Sequence, residues 1–175
     1  ITQSSGNTGT RTATFKVDAG ESVTCTFTNT KKPTLSVYKV CDPIGDTGTF
    51  NLQIDGQNVT TGTICGGSTN GQLEQTIGQH TVSETGSNLS AYTSVISGDC
   101  AADGTVTLAA GENKSCTITN SRLPKLNVIK VLSPSNDPGL FNLLIDSTQY
   151  ATNVGDGGST GSQTLTIGAH SVSET

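Results

Sequence analysis

The stretch PTLSVYKVCDPIGDTGTFNLQID, residues 33–55, returns 91 residues further on as PKLNVIKVLSPSNDPGLFNLLID, residues 124–146. The match continues through CGGST from Cys65 against DGGST from Asp156. It goes on through IGQHTVSET against IGAHSVSET, where the register slips by one residue. A second match pairs DAGESVTCTFTN, ending at Asn29, with AAGENKSCTITN, ending at Asn120. Self-similarity at a fixed period is the mark of a repeat architecture. It predicts one complete unit over 33–121, the C-terminal part of a preceding unit over 1–32, and the N-terminal part of a following unit over 124–175. The chain opens at Ile1 with no initiator Met and stops at Thr175 inside the pattern, so it reads as a piece of a longer polypeptide.

Within the unit the apolar residues alternate with period two, the signature of half-buried strands. Leu35, Val37 and Lys39 share one phase, as do Phe50, Leu52 and Ile54; Val82 with Glu84, Val106 with Leu108, and Cys116 with Ile118 continue the series. Turn-forming clusters such as DPIGDTG, IDGQN and SGDCAADG separate these runs. Six to eight short strands with no helix between them predict an all-β fold, an antiparallel sandwich. The connections KKP and SRLP are too short for a loose linker and predict a stiff rod of units.

Composition agrees with thin, two-layered β-structure. Met and Trp are absent and aromatic residues make up 4% of the chain, so a thick helical core has nothing to be built from. A net charge of −5 argues against nucleic acid and against an anionic membrane as partners, because both require a concentrated basic surface. No run approaches the ~20 apolar residues that span a bilayer.

Three polar residues stand on the apolar phase. Lys39 follows Leu35 and Val37, Glu84 follows Val82, and Asn120 follows Cys116 and Ile118; Lys130, Glu174 and Asn29 hold the equivalent positions in the partial units. Burying an unpaired ammonium or carboxylate is costly, so three inward polar residues in one unit require a reason. A Lys on the first strand (LSVYKV), a Glu in a late TVSET strand and an Asn closing the last strand (CTITN) resemble the Cna B-type, or SpaA-like, prealbumin-like domains of bacterial surface and pilus proteins. The resemblance implies tandem Ig-like, transthyretin-like sandwiches of about 90 residues, joined into a cell-surface structure. It also implies chemistry: the Lys amine attacks the Asn amide and releases ammonia, leaving an isopeptide bond, while the buried Glu moves the protons. Lys39, Asn120 and Glu84 would fill these roles in the complete unit, and Lys130, Asn29 and Glu174 across a junction of partial units. The plainer alternative is a lysine that snorkels to the sandwich end and an ordinary hydrogen-bonded Lys39–Glu84 pair. A stretch TGSNLSAY stands where the family often has Pro-Gly-Tyr after its Glu.

Five cysteines without metal-ligand spacing suit disulfides in an oxidising, extracellular setting. The second unit has Leu132 where Cys41 stands and Asp156 where Cys65 stands. Joint loss favours a Cys41–Cys65 bridge and leaves Cys100 with Cys116; Cys25 has no evident partner. His80 and His170 are equivalent, one per unit, and suit core packing or a hydrogen bond better than metal. Asp42, Asp46 and Asp137 read as turn formers rather than Ca²⁺ ligands, and Asn58, Asn88 and Asn113 lie in N-x-S/T sequons. No nucleophile elbow or phosphate loop appears, so no enzyme acting on an external substrate and no cofactor are expected. The expected function is an extracellular structural repeat of a stalk, sheath or filament, assembling head to tail with neighbouring repeats or copies of itself. The alternative is an adhesin that recognises a host protein or glycan through its loops.

Overall fold

Period-two side chains decide which faces of this chain close on one another. The computed structural model describes residues 4–69, 71–86 and 88–175, and the chain divides into two units, Ile1–Lys31 and Lys32–Thr175. In the first, β1 (Ser4–Asn7) and β2 (Thr12–Phe15) form an antiparallel hairpin. The segment Thr14–Asn29, whose end matches the last strand of the complete repeat, is a strand only over its first two residues, the end of β2, and residues 16–31 form none. The physical reason is local. A strand exists through its neighbours, and this unit contains no counterpart of Thr34–Asp42, the strand that pairs in parallel with the matching segment Asn113–Arg122 in the complete repeat.

In the second unit the complete repeat contributes β3 (Thr34–Asp42), β4 (Phe50–Ile54), β5 (Gln57–Thr63), β6 (Leu73–Glu74), β7 (Gly78–Thr85), β8 (Tyr92–Gly98), β9 (Thr105–Leu108) and β10 (Asn113–Arg122). They form two four-stranded sheets, ordered β6-β3-β10-β8 and β5-β4-β7-β9. One core joins them: Leu35, Val37 and Ile118 from the first sheet meet Leu52, Val82 and Leu108 from the second. Burying a Leu, Ile or Val side chain stabilises the fold by roughly 1.5–3 kcal/mol, so this cluster is what closes the sheets on each other. The arrangement is all-β and compatible with a β-sandwich. Among the described residues the only helical element is a 3-10 turn over Leu89–Ala91, and no helix is long and apolar enough to cross a membrane.

One pairing departs from a purely antiparallel expectation. β10 runs parallel to β3, from Asn113 opposite Thr34 to Ser121 opposite Asp42, and antiparallel to β8. Alternation reports which side chains are buried and is the same for either strand direction, so the sequence carried no signal for it.

The remaining strands are β11 (Lys125–Leu126), β12 (Phe141–Ile145), β13 (Thr148–Val154), β14 (Gln163–Thr164) and β15 (Val172–Glu174). The order β13-β12-β15 follows β5-β4-β7, and Leu143 stands opposite Glu174 as Leu52 stands opposite Glu84. β11 pairs with β14 as β3 pairs with β6. Cys41 is bonded to Cys65 and Cys100 to Cys116, bonds that suit an oxidising, extracellular environment. Cys25 is free and exposed.

Candidate functional site: a buried lysine, glutamate and asparagine

β3 turns Leu35, Val37, Lys39 and Cys41 inward and Tyr38, Val40 and Asp42 outward. Lys39 therefore points into the core, and with its side chain 0% exposed it does not snorkel. Its Nζ lies 3.0 Å from Glu84 Oε2, on a carboxylate 7% exposed that β7 brings from the facing sheet. The same Nζ donates to the Ile118 carbonyl at 3.4 Å and stands 4.3 Å from the Phe50 ring centre. Desolvation lowers the pKa of Lys39 and outweighs its hydrogen bond and attraction to Glu84, both of which favour the ammonium. The amine is thereby moved toward the neutral, nucleophilic form.

Asn120 shares β10 with Ile118 and faces the same interior. It is opposite Cys41 in register, on the strand beside Lys39, and is 0% exposed. Among the described residues neither Nδ2 nor Oδ1 of its amide has a hydrogen-bond partner. Leaving a buried polar group unsatisfied costs about 1–3 kcal/mol, so a doubly orphaned amide calls for an explanation. Ser94, opposite Asn120 on β8, donates to Glu84 Oε1 at 3.4 Å. A cavity of about 310 Å³ is bordered by Glu84, Ser94, Ile118 and Asn120.

The backbone of the lysine strand is fixed by the loop that carries CGGST. Lys39 N donates to Gly67 O at 2.8 Å, Gly66 N to Lys39 O at 2.9 Å, and Val37 N to Thr69 Oγ1 at 3.1 Å. The same set recurs with Lys130, Gly158, Gly157, Val128 and Thr160. Lys130 Nζ donates to Glu174 Oε2 at 2.7 Å and sits 3.9 Å from the Phe141 ring centre. This copy is more open, with Glu174 49% exposed. Asn29, in the other unit, is exposed and outside any strand.

Sequence reasoning missed a neighbouring group. Asp46, read as a turn former, has a carboxylate 2% exposed that accepts from Tyr92 Oη at 2.7 Å, Arg122 Nη1 at 2.6 Å and Gly48 N at 2.7 Å. The Arg122 and Tyr92 hydrogen bonds, in that order, hold its pKa down at about 2. The available signal was the shared D-x-G-x-F of Asp46–Phe50 and Asp137–Phe141. The histidines make the hydrogen bonds expected of them, each with an aspartate as partner. His80 contacts Asp55, and His170 contacts Asp146, through Nδ1 at 2.7 and 2.6 Å. No family model matches this chain, and no curated protein or solved structure matches it either.

Proposed function

We propose that this chain is an extracellular structural repeat of a cell-surface stalk, sheath or filament. Each period of about 90 residues is an Ig-like, transthyretin-like sandwich braced by disulfides and by an autocatalytic Lys–Asn isopeptide bond. The observation that carries the reading is Asn120: a fully buried amide with no partner among the described residues, on the strand beside Lys39 and lining one cavity with Glu84, the carboxylate paired with that lysine. Such a trio is expensive as packing and useful as chemistry. The neutral Lys39 amine attacks the Asn120 side-chain carbonyl carbon, a C–N bond forms, the original C–N bond breaks, and the amide nitrogen departs with one transferred proton as ammonia. Glu84 accepts the proton from the attacking amine and returns it to the leaving nitrogen, a general acid–base role that its place beside Nζ suits. Once formed, the bond replaces both the buried amine and the orphaned amide with a single neutral linkage.

The partial copies give the reading its assembly. Among the described residues β11 pairs with β14 alone, and the segment that carries Lys130, outside any strand, has no β10-like neighbour. The segment ending at Asn29 matches β10 in sequence. Joining the two builds a head-to-tail fibre, either between repeats of one polypeptide or between copies. Intact-mass measurement of the folded chain tests the cross-link. We expect a deficit of one ammonia for the complete unit and its disappearance in Glu84→Ala and Lys39→Arg. A folded, oxidised chain of unaltered mass would remove the proposal.

A further inference from the structure

The carboxylate of Asp46 binds three donors from three segments at one end of the core. Tyr92 begins β8, Arg122 closes β10 opposite Tyr92 in register, and Gly48 lies in the same loop as Asp46. Arg122 also stacks its guanidinium over the Tyr92 ring at 5.6 Å and reaches the Tyr92 hydroxyl at 3.4 Å. The Tyr92 ring meets Phe50 edge-on, with centres 5.4 Å apart at 76°, and Phe50 in turn holds the Lys39 amine. A continuous chain of contacts thus leads from Asp46 through Tyr92 and Phe50 to Lys39, while Arg122 stands two residues beyond Asn120 on the same strand. Gly48 is required by space rather than by backbone angle. A Cβ there would lie 2.5 Å from Tyr92 Oη and 2.8 Å from Phe50 Cζ.

We propose that the Asp46–Tyr92–Arg122 clasp is the positioning device of the lysine site, seating Phe50 on the Lys39 amine and closing that end of the core to water. Resting on the isopeptide reading, it adds residues that never touch the reacting atoms. An exposed ion pair contributes little, but this carboxylate is buried, and breaking the clasp leaves a desolvated charge without donors. The partial copy repeats its turn: Gly139 N donates to Asp137 Oδ1 at 2.7 Å, and Phe141 again lies against the lysine. Asp and aromatic ring travel together with the amine in both copies.

The test uses the full chain in two backgrounds. In Asn120→Ala the Lys39 amine stays free whatever the chemistry of the parent, and its acetylation by acetic anhydride, read by peptide mass mapping, reports access to the amine. Adding Asp46→Ala should raise the Lys39 labelling rate about tenfold or more, as expected for loss of charged hydrogen bonds. Arg122→Lys should restore part of the protection that Arg122→Gln removes. With Asn120 present, refolding from denaturant followed by mass should show ligation slowed by a similar factor in Asp46→Ala. Should Asp46→Ala not fold, Tyr92→Phe deletes one hydroxyl and gives the same readout with a smaller increase. Unchanged Lys39 labelling in folded clasp variants would overturn the proposal. A parent chain that never loses ammonia would instead overturn the isopeptide reading, leaving the labelling result to judge the clasp.

Discussion

A neutral His80 cannot donate to both the Asp55 carboxylate and the Thr76 carbonyl. Nδ1 is 2.7 Å from Asp55 Oδ2 and Nε2 is 2.9 Å from the Thr76 carbonyl, and both partners only accept. Desolvation opposes the charged ring, but the hydrogen bonds to Asp55 and Thr76 prevail and raise its pKa. Asp55 also receives the Thr81 amide at 2.9 Å, so the pair ties the β4–β5 turn to β7. β9, the strand beside His80, presents Val106 and adds no charge. A folded pKa above the unfolded value of about 6.5 means stabilisation that is complete below that value and lost as pH rises through the folded one. The Asp55 pKa is lowered: burial opposes this, and its hydrogen bonds to His80 and Thr81 overcome it. Its contribution therefore fades in acid, as pH falls through the folded value. We expect His80→Gln to cost about 1 kcal/mol near pH 6, since Asp55 is half exposed, and less at pH 9. Chemical denaturation at the two pH values, with an NMR titration of both histidines, checks this; an equal cost at both would contradict it. For His170, the Asp146 hydrogen bond leads the causes that raise its pKa, so its resonance should titrate late as well.

At the scale of elements, the two copies hold the lysine strand to its loop by different means. In the complete repeat a disulfide joins Cys41 to Cys65. In the partial one, Asp156, in the place of Cys65, accepts a hydrogen bond at 2.8 Å from the amide of Leu132, in the place of Cys41. Leu132 and Asp156 thus supply a hydrogen-bonded tether where Cys41 and Cys65 supply a covalent one. Closing a loop of 24 residues stabilises by about 3 kcal/mol in the chain-entropy model. Cys41→Ala with Cys65→Ala should lose most of that, and Cys41→Leu with Cys65→Asp should recover about 1 kcal/mol through the side-chain hydrogen bond. Equal midpoints for the two double variants in guanidinium would show that the Asp tether contributes nothing. The period-two phase made the inward faces legible, down to Lys39 and Asn120, because alternation follows directly from strand geometry. Strand direction was not legible, and neither was the Asp46 clasp. Its members are 46, 92 and 122, residues that only the fold brings together, and two of them lie outside the segment that the second copy repeats.

At the scale of the molecule the question is what stands beside the Lys130 segment of the second copy, which follows β11 and lies outside any strand. Around Lys39 the core is closed by β10; around Lys130 the Glu174 carboxylate is half exposed, and Ile129 and Val131 are exposed on the other face. The segment Glu21–Asn29 repeats the β10 pattern, with Cys25 in the place of Cys116, Phe27 in that of Ile118 and Asn29 in that of Asn120, and it forms no strand where it is. A strand added to an open sheet edge gains main-chain hydrogen bonds from its first residues. A contact between two different surfaces of one chain propagates rather than closing. We expect the purified chain to form a concentration-dependent ladder of covalent oligomers, stable in denaturant, with one ammonia lost per junction. Asn29→Ala keeps the lysine and loses the asparagine; Lys130→Arg does the reverse. Each alone should give no ladder. Mixed, they should give one product, a covalent heterodimer that grows no further, because the joined pair has spent its one lysine and its one asparagine. Denaturing electrophoresis with peptide mapping of the Lys130–Asn29 linkage reads this directly. A wild-type chain that stays monomeric at every concentration, and a mixture that forms no heterodimer, would refute head-to-tail growth through this pair.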